Sequence, residues 1–221
     1  MKLSRPVQGV IFDLDGVLLD TEYFYTEVTQ EVCGAFGKVF DWSIKRNMIG
    51  RPSLESAQYL VDALSLPITP EEYLQRRSVR LEELFAASLE QPGAEAFTRA
   101  LAARRVPIAV ATSSEKRLFD LKTTRHRDWF ATFSAIVVGD DVRVKAGKPA
   151  PDIFLVAAAE LGLEPSRCVV FEDAPAGLEA AHAAGMQVIA LPDPGMDRAP
   201  YAGADLVIDS FRDITPADLG L

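Results

Sequence analysis

The sequence predicts an α/β fold, a doubly wound, Rossmann-like parallel sheet with an all-helical domain inserted after the first strand. Three observations carry that expectation. From about residue 92 onward, short apolar runs alternate with helical stretches at regular spacing. The first apolar run, Val7 to Phe12, lies far upstream of that series. Between the two, from about residue 20 to 88, no convincing strand occurs and the chain reads as helix.

Taken in order, Val7 to Phe12 has the look of a buried parallel strand, interrupted only by Gln8 and Gly9. Within the helical stretch, Leu54, Ala57, Leu60, Val61 and Leu64 recur with a 3.6-residue period. Thr69-Pro70-Glu71-Glu72 supplies a cap, a first-turn proline and two acids at the positive end of a helix dipole. Pro92-Gly93 opens a helix through Arg104, and Pro107 to Ala111 is a compact strand. A helix from about Glu115 precedes a strand over Phe133 to Val138. Asp152 to Leu161 places Phe154, Ala158 and Leu161 on one helical face, with Gly162 at the stop. Strands over Cys168 to Phe171, Val188 to Leu191 and Asp205 to Ile208, with a helix over Pro175 to Ala184, complete the series. Alternation of this kind implies right-handed crossovers. The expected domains are an α/β core, residues 1–19 and 90–221, and a helical domain, residues 20–89, with linkers near Val17 to Thr21 and Leu89 to Gly93.

At 221 residues the chain can bury one good core and a small accessory domain. A net charge of −9 argues against a nucleic-acid groove or an anionic membrane as partner. Cys33 and Cys168 lie far outside any CxxC spacing, as expected of two ordinary reduced thiols. The apolar stretch before Asp13 is too short for a signal peptide, and no run approaches the ~20 apolar residues of a membrane span. The expectation is therefore a cytoplasmic enzyme, monomeric by default.

Four strand ends carry candidate chemistry, and in open α/β sheets ligands bind at that carboxyl edge. The first is Asp13-Leu14-Asp15-Gly16. Two carboxylates this close repel unless a cation or a proton settles them, although an acidic turn would use the same residues. The second, Thr112-Ser113-Ser114, offers three hydroxyls to an anion. Ser114 is expected to cap the following helix, leaving Thr112 foremost, with Ser113, as phosphate ligands. In the third, Gly147, Pro149 and Pro151 fix the backbone around Lys148, with Lys145 its competitor for an anion. The fourth is Glu172-Asp173 ahead of a proline-started helix. Asp173 can cap that helix, or join Asp13, Asp15 and Glu172 in a hard-cation site suited to Mg²⁺. The basic run Arg117, Lys122, Arg125, His126, Arg127 reads as the wet face of a surface helix, and Phe119, Trp129, Phe130 and Phe133 as core.

Together these segments resemble the motifs of haloacid dehalogenase superfamily phosphatases that carry a helical cap after the first strand. The resemblance runs from about Val7 to Ile208. Thr123 to Phe130, Gly147 to Phe154 and Val170 to Gly177 are similar to segments of its small nucleoside- and sugar-phosphate phosphatases. The resemblance implies a Mg²⁺-dependent phosphomonoester hydrolase acting on a small phosphorylated metabolite. Asp13 would be the nucleophile that becomes an aspartyl-phosphate. Asp15 would protonate the leaving alkoxide and then activate water. Mg²⁺ would be held by Asp13, the Asp15 carbonyl and Asp173, with Glu172 as a further contributor. Thr112 and Lys148 would stabilise the transferring oxygens. The cap would close over the site and choose the leaving group, with Arg51, Glu22 and Tyr25 as the cap residues expected to meet substrate; a solvated turn arginine is the other reading of Arg51. A β-phosphoglucomutase-like mutase is the rival, but Glu22 to Thr26 lack the histidine such mutases carry there. Dehalogenases lack an acid at the position of Asp15. A non-catalytic regulatory protein would be expected to have lost Asp13 or Asp173.

Overall fold

The computed structural model describes residues 3–48 and 53–221. The chain divides into two compact units, Met1–Asp20 with Ser88–Leu221, and Thr21–Ala87. Among the described residues no helix is long and apolar enough to cross a membrane.

The first unit begins with β1 (Gly9–Phe12), whose four residues are all buried, as expected of a parallel strand covered on both faces. A two-residue strand, β2 (Leu19–Asp20), leads out of it. The helical unit follows with α1 (Glu22–Gly34), α2 (Trp42–Lys45), α3 (Ser53–Leu64) and α4 (Pro70–Phe85). The chain re-enters the first unit through β3 (Leu89–Glu90), then α5 (Ala94–Ala103), β4 (Ile108–Ala111), α6 (Lys116–Lys122), α7 (Arg127–Phe130) and β5 (Ala135–Val137). It closes with α8 (Asp152–Glu160), β6 (Cys168–Glu172), α9 (Pro175–Ala183), β7 (Gln187–Ala190) and β8 (Leu206–Val207).

The main sheet has the order β5-β4-β1-β6-β7-β8, and every adjacent pair is parallel. This is the doubly wound sheet that the alternation predicts. β1 lies between β4 and β6, with Phe12 opposite Val110 on one side and Phe171 on the other. Successive residues of β1 serve opposite faces. Phe12 joins Phe97, Phe133, Phe171 and Phe211 in one core, with the Phe12 and Phe171 rings stacked at 5.0 Å. Ile11 joins Ala109, Val170, Phe154 and Leu178 in the other. Three strand ends are thus locked side by side, which is what brings the motif residues together.

β2 and β3 pair antiparallel, Leu19 opposite Glu90 and Asp20 opposite Leu89, where the sequence shows only linkers. Two-residue strands are too short for a period-2 pattern to register, and their pairing is between segments some seventy positions apart.

Within the helical unit, Thr69 caps α4 by accepting from the Glu72 N–H, with Pro70 at the first position. Phe24 of α1 meets Phe85 of α4 edge-on at 6.5 Å, and the Thr29 and Tyr73 hydroxyls hydrogen-bond at 2.9 Å in the interior. In α3, Ala57 and Leu60 are buried but Leu54 is exposed. Ser56 takes the inward place in that first part of the helix and donates to the Met48 carbonyl. The two cysteines are buried free thiols, and burial pushes both up to about 11.

Candidate active site

Beyond β1 the backbone turns sharply. The N–H groups of Leu18 and Leu19 donate to the Leu14 carbonyl, and that of Gly16 to the Leu19 carbonyl. Gly16 has φ +76, a conformation that favours glycine, and a Cβ there would collide with the Asp173 carboxylate. The turn therefore brings the end of β1 directly against the loop after β6. Gly16→Ala is expected to force Asp173 away, lowering affinity for a divalent cation by at least tenfold with only modest loss of fold stability; calorimetric titration with Mg²⁺ checks it.

Asp13 is only 7 % exposed. Its N–H is held by the Phe171 carbonyl, and its Oδ1 accepts from Lys148 Nζ at 2.6 Å. Burial pushes the Asp13 carboxyl up to about 7; Lys148 opposes this, while Glu172 and Asp15 reinforce it. Lys148 comes from the Gly147 to Pro151 loop, where the Lys148–Pro149 peptide is cis. Its ammonium also donates to Glu172 Oε1 at 2.5 Å, and the two carboxylates raise its proton affinity despite burial. Glu172 Oε2 accepts the Ala174 N–H at 2.9 Å. Glu172 thus has one oxygen on Lys148 and the other on the backbone, so its geometry is that of a residue that sets Lys148 and the 173–174 turn. A Cβ at Gly177 would collide with the same carboxylate, so the start of α9 is shaped around it.

Asp173 follows directly, and its backbone carbonyl accepts from the Tyr201 hydroxyl at 2.5 Å. The N-cap position of α9 is Ala174, one residue further on, and it makes no side-chain cap hydrogen bond. On the other flank, Thr112 is buried, and its Oγ1 accepts the Ser114 N–H at 3.0 Å while its N–H reaches the Val137 carbonyl. The side chain of Ser113 is exposed, and its carbonyl packs where a Cβ at Gly139 would sit.

Two expectations are corrected here. Ser114 does not cap α6: its hydroxyl donates to Asp15 Oδ2 at 2.9 Å, and the carboxylate of Asp140 takes the Lys116 N–H instead. Lys122 is not on a wet face. It is 1 % exposed, and its ammonium lies 2.6 and 2.8 Å from the two oxygens of Asp15 and 2.9 Å from Ser114 Oγ. Arg117, Arg125 and Arg127 are exposed as expected, and His126 is half-buried, its Nε2 2.8 Å from the Ser88 carbonyl. The signal that finds Lys122 is its spacing from Phe119, three residues earlier, which puts both on the inward stripe of α6.

Of the cap residues, Glu22 and Tyr25 line a cavity of about 290 Å³ inside the helical unit, together with Thr26, Lys45, Ser56 and Arg77 among others. Lys45 Nζ donates to Thr26 Oγ1 at 2.9 Å and stands 3.8 Å from Glu22. Arg51 lies outside the described residues.

The strand ends thus gather oxygen donors and two ammonium groups, a set suited to a hard cation and to phosphate oxygens. Among the described residues no three His, Cys, Asp or Glu side chains form a ready metal cage.

The haloacid dehalogenase-like hydrolase model matches residues 7–185, and the chain belongs to that family. It is 44% identical over 220 residues to (DL)-glycerol-3-phosphatase 2 of Arabidopsis thaliana, covering 97% of this chain and 92% of that one. It is 41% identical over 223 residues to the probable pseudouridine-5'-phosphatase of Drosophila melanogaster, covering 100% and 96%. Among solved structures it superposes with TM-score 0.81 on a HAD family hydrolase from Deinococcus radiodurans with bound phosphate and sodium, at 29% identity over 97% of each chain.

Proposed function

We propose that this protein is a Mg²⁺-dependent phosphatase that hydrolyses monoesters of small phosphorylated metabolites, nucleoside or sugar phosphates, through an aspartyl-phosphate. The observation that carries this reading is the buried Asp13 carboxylate at the end of the central strand, gripped by Lys148 and flanked by Asp15, Thr112 and Asp173. The names of the relatives from Arabidopsis and Drosophila, and the phosphate in the Deinococcus structure, support it.

In the first step the Asp13 carboxylate attacks phosphorus, the P–O bond to the leaving group breaks, and Asp15 gives its proton to the departing alkoxide. In the second, water attacks the phosphorus of the aspartyl-phosphate, its proton passes to Asp15, and phosphate and Asp13 are released. Lys148 and the Thr112 hydroxyl bind the transferring oxygens, where a preorganised donor is typically worth about 10²–10³ in turnover. Glu172 keeps the Lys148 ammonium in place. Asp13, Asp173 and the carbonyl of Asp15 would hold Mg²⁺, which when bound neutralises negative charge between carboxylate and phosphate. A mutase is disfavoured because the first turn of α1 carries no histidine.

Phosphate release from a panel containing pseudouridine 5′-phosphate, glycerol phosphates, pentose and hexose phosphates and flavin mononucleotide, with Mg²⁺ and with EDTA, tests the reading. Mg²⁺-dependent release concentrated on one compound is expected. Silence across the panel with Mg²⁺ binding intact would overturn it.

Cation binding should also depend on pH in a defined direction. Asp13 binds its proton more tightly in the fold than in the unfolded chain, where a carboxyl titrates near 3.8. Without a cation, its contribution to stability therefore grows as pH falls from about 7 toward 4 and is lost above about 7. A cation must displace that proton. The rise in melting temperature on adding Mg²⁺ is expected to be full at pH 8 and to shrink steadily below pH 7, as scanning calorimetry would read.

A further inference from the structure

We propose that Lys122 is a positioning residue that fixes the Asp15 carboxylate for proton transfer to the leaving group, an inference that rests on the phosphatase reading above. Catalysis through Asp13, Asp15, Lys148, Thr112 and Asp173 leaves this buried cation with no task.

Burying an ammonium is costly unless well-placed partners compensate it. Here the compensation is concentrated on one catalytic carboxylate: Lys122 Nζ reaches Oδ1 at 2.6 Å and Oδ2 at 2.8 Å, and Ser114 Oγ reaches Oδ2 at 2.9 Å. Lys122 Nζ and Ser114 Oγ are themselves 2.9 Å apart, closing a three-membered network. Two oxygens held by one cation define the carboxylate plane, and the hydroxyl fixes which oxygen lies toward β4. Asp15 keeps 23 % of its side chain exposed while Lys122 keeps 1 %, so a buried lysine supports a carboxylate that is still partly open.

The anchorage is rigid at both ends. Lys122 is the last residue of α6, where a cation complements the helix dipole, and Phe119 on the same stripe is packed against Phe130 at 5.6 Å. Ser114 sits in the turn between β4 and α6, with its N–H on Thr112 Oγ1. The phosphate-binding turn after β4 and the acid on β1 are therefore tied to each other through Asp15, Ser114 and Lys122. The two aspartates each have their own lysine: Lys148 for Asp13 and Lys122 for Asp15.

A purely structural ion pair and a positioning device differ in how its loss depends on the leaving group. Departure of an alkoxide needs a proton; departure of p-nitrophenolate does not. The ratio kcat/KM reports only steps through the first phosphoryl transfer, so it excludes breakdown of the aspartyl-phosphate. In Lys122→Met, kcat/KM for the alkyl phosphate that wild-type enzyme hydrolyses best is expected to fall about 10²-fold, a loss within the range for general acid catalysis. For p-nitrophenyl phosphate it should fall less than about threefold by the same reasoning. Lys122→Arg should recover most of the alkyl activity. Equal losses on both substrates, or no loss on either, would overturn the proposal; an inactive wild type would instead refute the phosphatase reading beneath it.

Should Lys122→Met fail to fold, the double variant Lys122→Met/Asp15→Asn removes the stranded carboxylate. If Lys122 acts through Asp15, the double variant will match Asp15→Asn alone on the alkyl phosphate. A further loss of tenfold or more in the double variant would overturn the assignment.

Discussion

Asp13→Asn will abolish phosphate release, by on the order of 10⁴-fold or more in kcat, because the variant has no nucleophile to form the acyl-phosphate. Its fold will be intact. The substitution keeps the size of the side chain in a buried slot, and Lys148 retains Glu172 as a partner. Stability should in fact move upward in cation-free buffer at pH 8. There Asp13 is ionised against its tendency in the fold, since burial pushes it up to about 7 and Glu172 and Asp15 add to the repulsion. Replacing it with a neutral amide removes that opposition, so the melting temperature should equal or exceed that of the native protein. A variant with near-native turnover would remove Asp13 as nucleophile, and one that is unfolded would remove the claim that its charge opposes the fold.

Lys148→Met is expected to damage both properties. The ammonium is buried between Asp13 and Glu172, and its loss leaves two carboxylates facing each other without a cation. Breaking a buried pair by removing one partner typically costs about 3–5 kcal/mol. For a domain of this size that corresponds to a fall of about 6–20 °C in melting temperature. The sign with pH follows from the same groups. Lys148 has its proton affinity raised above the ordinary 10.5, so its stabilising contribution is full throughout the neutral range and is lost only in strong alkali. Without Lys148, which lowers the proton affinity of Asp13, that carboxyl takes up its proton more readily still, so the damage in Lys148→Met should be largest at alkaline pH and partly relieved at pH 5.5. Turnover should fall about 10²–10³-fold for want of a donor to the transferring oxygens. A melting temperature that does not depend on Lys148 would show that Asp13 and Glu172 are solvated rather than paired.

The parts of the site legible in the sequence are those attached to strand ends. Apolar runs that stop at Asp13, Thr112 and Asp173 announce both the strand and the place where its side chains stop facing a core, and parallel pairing of β4, β1 and β6 does the rest. What was not legible depends on contacts between distant segments. Ser114 looks like a helix cap because a serine before a helix usually is one; a carboxylate from the loop at Asp140 occupies that post, which frees the hydroxyl for Asp15. Lys122 hides in a run of basic residues, and only its spacing from Phe119 betrays an inward side chain. Glu172 and Asp173 are adjacent in sequence and both read as oxygen ligands, but that Glu172 also reaches Lys148 and the Ala174 N–H depends on the turn into α9 and on a loop far along the chain. The strands Leu19–Asp20 and Leu89–Glu90 were invisible as a pattern because each is only two residues long.

Those two short strands carry a consequence for how such a protein can change. Their ladder sets Leu19 beside Glu90 and Asp20 beside Leu89, and the Gln91 N–H donates to the Leu18 carbonyl. Seen from the sheet, the whole of Thr21–Ala87 is the loop of a β-hairpin whose stem is already tied. Closure of a loop grows only logarithmically more costly with its length, so the stem is nearly indifferent to what it carries. A different insert, longer, shorter or of another architecture, can be exchanged there without moving Asp13 or Asp173. The helical unit and the strand-end residues are therefore free to diverge on separate schedules within one chain.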